Sequence, residues 1–214
     1  MPPGTLITIE GLDGAGKTTL AQALARELAA RTRCPPTQGG HRVELLREPG
    51  GVHLSERIRE LVKDPTLAVS ARAEALLYAA ARAQLVHERL LPLLEQGALV
   101  LLDRFVDSSL AYQGAGRALG VEQVQAINRF ATGGLEPDRT LLLCLSPAAG
   151  RARLQTRELA PDRLELEGEE FFARVSAAYM DLARAEPQRV RAIDAEQPPE
   201  RVLSDALAAL ADLL

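Results

Sequence analysis

Five apolar segments of the chain read as strands: Leu6–Glu10, Val43–Arg47, Leu99–Asp103, Thr140–Leu145 and Val190–Asp194. A run without alternation predicts a strand covered on both faces, as in a parallel sheet. Between the runs the pattern changes to a helical one. Thr19–Arg31 sets Leu20, Leu24 and Leu28 four residues apart, one face of a helix. Arg72–Gln96 is a long Ala- and Leu-rich helix, with Pro92 near its last turns or breaking it. Val121–Ala131 is a helix closed by Gly133-Gly134, and Glu169–Ala185 and Pro199–Leu214 complete the set. Strands alternating with helices predict a doubly wound α/β sheet. Two segments lack either period. Arg33–His41, rich in Pro and Gly, reads as an exposed loop lengthening the first crossover. Arg151–Gly168, crowded with Arg, Asp and Glu, reads as irregular or as a solvated charged helix.

No internal repeat or linker divides the 214 residues, so residues 1–214 are expected to form one domain. A net charge of -4 provides no basic surplus for gripping a nucleic-acid backbone. Aromatic residues make up 3 % of the chain and Trp is absent, which argues against a base-stacking platform for single strands. Cys34 and Cys144 supply neither a disulfide framework nor a zinc pattern. Cys144, inside an apolar run, is expected to be a small buried hydrophobe. No apolar stretch is long enough to span a membrane and Met1-Pro-Pro-Gly4 is not a signal peptide, so a soluble cytoplasmic protein is expected.

The chemistry begins where the first strand ends. Gly11-Leu12-Asp13-Gly14-Ala15-Gly16-Lys17-Thr18 fills the pattern G-x-x-x-x-G-K-[ST], and Thr19 opens the helix behind it. Strand, glycine loop and helix converge backbone N–H groups and a helix N-terminus on a phosphate. Lys17 can then reach the outer phosphates of a nucleoside triphosphate, and the Thr18 hydroxyl can hold Mg2+. Of the 25 basic residues only Lys17 and Lys63 are lysines. A chain that otherwise writes Arg keeps Lys where a compact ammonium must fit between phosphate oxygens.

A second anchor is Asp103 at the carboxyl end of the third apolar run, where a magnesium-shell carboxylate is expected. It is followed by Arg104, which cannot activate water as a Glu would. No Asn-Lys-x-Asp base-recognition motif occurs. A triphosphate site with an arginine beside it suits phosphoryl transfer to a phosphorylated acceptor better than hydrolysis.

The chain resembles the bacterial thymidylate kinase family almost from end to end. The resemblance is carried by Glu10–Thr19, by Arg47-Glu48-Pro49-Gly50-Gly51, by Tyr78 with Ala81-Arg82-Ala83-Gln84, by Asp103–Arg117 and by Gly150–Glu165. Departures are Tyr78 where many relatives have Phe, and Phe105 where Tyr is common. The resemblance implies a P-loop NTPase fold, a five-stranded parallel sheet in the order 2-3-1-4-5 with helices on both faces, and a mobile lid at about residues 150–168. It implies Mg2+- and ATP-dependent phosphorylation of dTMP to dTDP, with Gly11–Thr19 binding ATP and Thr18 and Asp103 serving the metal.

For the acceptor it implies a site of Asp13, Glu48, Pro49, Tyr78, Arg82, Arg104, Ser109, Tyr112 and Gln113. Tyr78 would stack on thymine, and Arg82, one turn later on the same helix face, would donate to O4. Ser109 and Gln113 would line the base pocket, and Tyr112 would sit under the deoxyribose. Asp13 would accept from the 3′-OH, and Arg104 would grip the acceptor phosphate. One branch of the family carries Arg where this chain has Gly14. The missing cation is then expected from the lid, as Arg153 and Arg157 closing over the triphosphate, with Arg151 and Arg163 nearby. Asp162 and Glu165 would order the lid or act through water on the metal. Catalytic roles thus fall on Asp13, Lys17, Asp103, Arg104, Arg153 and Arg157. A homodimer packed through the Arg72–Gln96 and Val121–Ala131 faces is implied, with no nucleic-acid or membrane partner. The competing readings are a kinase for another nucleoside monophosphate and a non-catalytic ATP-binding regulator.

Overall fold

A computed structural model describes residues 4–31, 42–156 and 161–214. The strands are β1 (Thr5–Gly11), β2 (Val43–Arg47), β3 (Leu99–Asp103), β4 (Arg139–Cys144) and β5 (Val190–Asp194). They form one parallel sheet in the order β2-β3-β1-β4-β5, as expected. β1 lies at the centre, with Ile9 opposite Asp103 of β3 and Leu141 of β4. Its alternate residues serve two cores. Ile7 and Ile9 pack with Leu20, Leu24 and Leu28 of α1 (Lys17–Arg31) and with Val202 and Ala206 of α9 (Pro199–Ala209). On the opposite face Leu6, Val100 and Leu102 meet Leu85, Val86 and Leu90, while Leu142 and Val190 meet Phe171, Val175 and Tyr179 of α8 (Glu169–Ala185). The chain reverses winding direction between β3 and β4, on either side of β1. This opens a crevice at the strands' carboxyl ends, the usual ligand position in such sheets.

Several elements differ from the sequence pattern. α2 (His53–Lys63) was not expected, although it buries Ser55, Ile58 and Val62. The predicted helix over 72–96 is α3 (Ala71–Leu85), a π-helical turn at Val86–Leu90, and α4 (Leu91–Glu95). Within that turn Leu91 N–H bonds to Val86 C=O, and the widened path admits Pro92 without a break. After β3 the backbone forms α5 (Val106–Ser109), a second π-helical segment (Leu110–Gly116) and α6 (Val121–Thr132), which ends on Gly133 in the left-handed conformation. The first part of the charged segment is helical after all. α7 (Pro147–Gln155) starts on Ser146, whose hydroxyl accepts from Ala149 N–H, with Pro147 in its first turn. α9 stops at Ala209, short of the expected Leu214. Cys144 is half-buried, its Sγ 3.9 Å from Met180 Sδ. Cys34 and the Arg33–His41 loop lie outside the described residues.

Candidate active site

β1 delivers the phosphate loop. At its end Gly11 has φ +136°, and a Cβ there would lie 2.5 Å from the Leu143 carbonyl oxygen, so only glycine fits between β1 and β4. Lys17 begins α1 and folds back to donate from Nζ to Leu12 C=O at 2.8 Å. Burial pushes its ammonium down to about 8, and the Arg104 charge acts in the same direction against Asp13. Bound phosphates would reverse that shift. Thr18 Oγ1 donates to Asp103 Oδ2 at 2.7 Å, joining the loop to the end of β3.

Arg104 turns the chain out of the sheet with φ +70°, a conformation costly for a side-chain-bearing residue. Two bonds from β1 hold it there: Arg104 N–H to Ile9 C=O at 3.0 Å and Phe105 N–H to Glu10 Oε1 at 2.7 Å. The guanidinium donates to Asp13 Oδ1 at 2.6 Å and to Ser108 Oγ at 3.0 Å, and lies 5.0 Å over the Tyr112 ring. Tyr112 OH donates to the other Asp13 oxygen at 2.9 Å. Burial alone would raise the Asp13 carboxyl, but Arg104 and then Lys17 overcome it and hold the group well below the usual carboxylate range. Glu10, fully buried, also accepts from Tyr179 OH at 2.9 Å; burial and the Asp107 charge push its carboxyl up.

Further along the crevice lies a pocket shaped by α3. Arg82 is 2 % exposed, which excludes a solvated helix charge. Its Nε donates to Glu48 Oε2 at 2.7 Å, Nη1 to Ser109 Oγ at 2.9 Å and to Asn128 Oδ1, and Nη2 to Phe105 C=O at 2.9 Å. The guanidinium also lies 5.5 Å over the Phe105 ring. Burial pushes the Glu48 carboxyl up to about 7 despite Arg82. Gln113 Nε2 donates to Glu74 Oε1 at 2.8 Å.

One cleft of about 800 Å³ joins these parts. Its walls include Asp13, Gly14, Gly16, Lys17, Thr18 and Thr19 of the loop, Asp103 and Arg104 of the turn after β3, and Arg153 of α7. At the other end they include Glu48, Tyr78, Arg82, Ser109, Tyr112 and Gln113. Gly11, Leu12 and Ala15 are buried beneath the loop rather than in the cleft wall. Pro49 is also not in the wall; it follows a cis peptide bond from Glu48 and accepts from Arg59 Nη1 at 2.9 Å. Arg153 Nη2 donates to Ala195 C=O at 2.9 Å and Nη1 to Gly14 C=O at 3.4 Å, which brings its guanidinium to the rim of the phosphate loop. Arg157 lies outside the described residues. Asp162 and Glu165 also line the cleft; Asp162 accepts from Leu164 and Glu165 N–H and pairs with Lys63 of α2 at 2.8 Å.

Several participants escaped the sequence reading, among them Arg59, Glu10, Glu74, Ser108 and Asn128. Arg59 brings a further cation to the cleft from α2, the helix not foreseen. Glu10 and Glu74 act behind the wall, through partners distant in sequence that no local spacing reveals.

A glycine loop on a helix N-terminus, a carboxylate at the end of the neighbouring strand and an arginine-bearing cleft that starts at the loop are the marks of the P-loop nucleotide kinases. The family model described as Thymidylate kinase matches residues 9–206. A protein named Thymidylate kinase from Deinococcus radiodurans is 48 % identical over 99 % of this chain and 98 % of its own length. Another of that name from Enterococcus faecalis is 46 % identical over 94 % of this chain and 92 % of its own. The crystal structure of thymidylate kinase from Ehrlichia chaffeensis superimposes with a TM-score of 0.78 at 28 % identity, covering 98 % of this chain and 100 % of that one. The chain belongs to the thymidylate kinase family.

Proposed function

We propose that the protein transfers the γ-phosphoryl group of ATP to dTMP, forming dTDP for deoxythymidine nucleotide synthesis. The observation that carries this reading is the position of Arg104 and Asp13 in one cleft, between the phosphate loop and the pocket of Tyr78, Arg82 and Gln113. A triphosphate on Gly11–Thr19 and a nucleoside monophosphate in that pocket would present donor and acceptor phosphates to each other across Arg104. The acceptor oxygen is already anionic, so alignment and positive charge are what the protein must supply. Lys17 holds the outer donor phosphates, Arg104 the acceptor phosphate, and Asp13 orients Arg104 and accepts from the sugar 3′-OH. Tyr112 lies under the sugar, and Arg153 adds charge at the loop rim.

Thr18 and Asp103 form a hard-oxygen pair suited to Mg2+. Among the described residues no group of three or more His, Cys, Asp or Glu gathers, so phosphate and water oxygens would complete the coordination. The ion supplies charge neutralisation on the phosphates when bound.

A homodimer accords with exposed apolar side chains on neighbouring helices: Leu54 and Leu61 of α2, Leu76 of α3 and Phe130 of α6, the last 92 % exposed. Sedimentation at micromolar concentration tests it. No helix among the described residues is long and apolar enough to cross a membrane; a cytoplasmic location suits the proposed reaction.

The test is coupled ADP release with ATP and Mg2+ against dTMP, dUMP, UMP, dCMP, AMP and no acceptor. Turnover fastest with dTMP and near zero without acceptor is expected. Preference for another monophosphate would overturn the base assignment, and acceptor-independent ADP release would overturn the role given to Arg104.

A further inference from the structure

The amide of Gln113 is oriented from behind. Its Nε2 donates to Glu74 Oε1, and Glu74 is fully buried on α3. Arg117 approaches the same carboxylate with Nη2 3.0 Å from Oε2, and Arg163 with Nη2 2.7 Å from Oε2. A carboxylate facing two guanidinium groups offers acceptors only, so Gln113 must turn its NH2 toward it. The group left for Gln113 to present to the cleft is its carbonyl oxygen. Arg82 presents the opposite. Four of its five N–H groups are bound to Glu48, Ser109, Asn128 and Phe105, and the fifth, on Nη2, remains for a ligand.

We infer that Glu74 is a specificity-determining positioning residue. By fixing the Gln113 amide it makes the pocket present one acceptor beside one donor. That pair complements the imide edge of an oxo-pyrimidine, N3–H beside O4. Cytosine presents a bare N3 lone pair to the Gln113 oxygen and an amino group to Arg82, two mismatches that leave buried polar groups unpaired. The brace extends to the segment after α7. Arg163 also donates from Nε to Val62 C=O at 3.0 Å, and Arg117 pairs with Glu167, so residues 163–167 are tied to the carboxylate that holds the amide. Glu74 itself need not touch the base. The inference rests on the pyrimidine monophosphate reading given above.

The test compares kcat and KM for dTMP, dUMP and dCMP in the wild type, Glu74→Gln, Gln113→Leu and the double variant, with melting temperatures alongside. A glutamine at 74 can donate as well as accept, which frees the Gln113 amide to flip. The ratio of kcat/KM for dTMP over dCMP is expected to fall about tenfold or more in Glu74→Gln, chiefly through KM for dTMP. Gln113→Leu should show the same loss and the double variant little more. If Glu74→Gln folds and keeps the wild-type ratio, or loses all acceptors in equal proportion, the role is overturned. If Glu74→Gln does not fold, an unchanged ratio in Gln113→Leu overturns it equally. A wild type inactive with dTMP would refute the functional reading itself, and this role with it; an active wild type whose variants keep its ratio refutes this role alone.

Discussion

Gly14 and Gly150 meet across the phosphate loop: a Cβ on Gly14 would lie 2.5 Å from the Gly150 carbonyl oxygen, and Gly14 itself has φ +82°. The start of α7 therefore occupies the space that a side chain at position 14 would need. An arginine inside the loop is sterically closed to this chain, in keeping with the proposal that the extra cation comes from α7. Gly14→Arg should displace α7, lower the melting temperature and abolish most activity rather than add to it. Kinetics and thermal melts on the variant check this.

Arg153 is the described cation nearest that role, held by the carbonyl groups of Gly14 and Ala195. Arg153→Ala should lower kcat by about 10³-fold, the scale of a lost transition-state arginine. KM for dTMP should change little, since Arg153 stands at the donor end. Equal losses in kcat and in monophosphate binding would refute the assignment.

Asp13 and Arg104 form a pair whose separation exposes both members. Asp13→Asn would leave the Arg104 guanidinium without its carboxylate in a half-buried site. We expect kcat/KM for dTMP to fall about 10²-fold and stability to drop by a few kcal/mol, because breaking such a pair strands a charge. Because the Asp13 carboxyl is held well below its ordinary range, its protonation should not shape the pH–rate profile near neutrality. An acidic limb that Asp13→Asn removes would contradict this.

Lys17 links stability to pH in the same sense as a carboxyl held below its ordinary range, but at alkaline pH. Its folded value of about 8 lies below the ordinary 10.5, so between these pH values the unfolded chain binds more protons than the folded one. Stability from this group therefore rises with pH across pH 8 to 10.5. The rise amounts to about 3 kcal/mol, at 1.36 kcal/mol per pKa unit. Chemical denaturation of wild type and Lys17→Met over this range isolates it as the difference in slope. ATP binding near pH 8.5 should take up protons as the phosphates restore the ammonium. Calorimetry in buffers of different ionisation enthalpy measures that uptake, and Lys17→Met should abolish it.

The inner strands β1, β3 and β4 were legible because they are buried on both faces, which writes a nearly unbroken apolar run; the edge strands β2 and β5 keep exposed positions and carry charges within their runs. α2 was not legible, because Leu54 and Leu61 face outward among charges and blur the stripe of Ile58 and Val62. At the site, the phosphate loop could be read because its chemistry is contiguous, and Arg104 because it adjoins Asp103. The pairs that set geometry, Arg82 with Glu48 and Gln113 with Glu74, join residues 34 and 39 positions apart. Only the packing of α3 against its neighbours brings them together. A buried arginine and a solvated one look alike in a sequence.

The strained backbone at Arg104 is tied down by Ile9 and Glu10, both on the central strand of the sheet. The backbone that carries the Arg104 guanidinium therefore has no local hinge of its own. Asp13 and Ser108 aim the side chain, but the backbone under it keeps its place only while β1 and β3 stay paired. Enzymatic turnover in this protein doubles as a gauge of sheet integrity, and in a denaturant titration the two should disappear together.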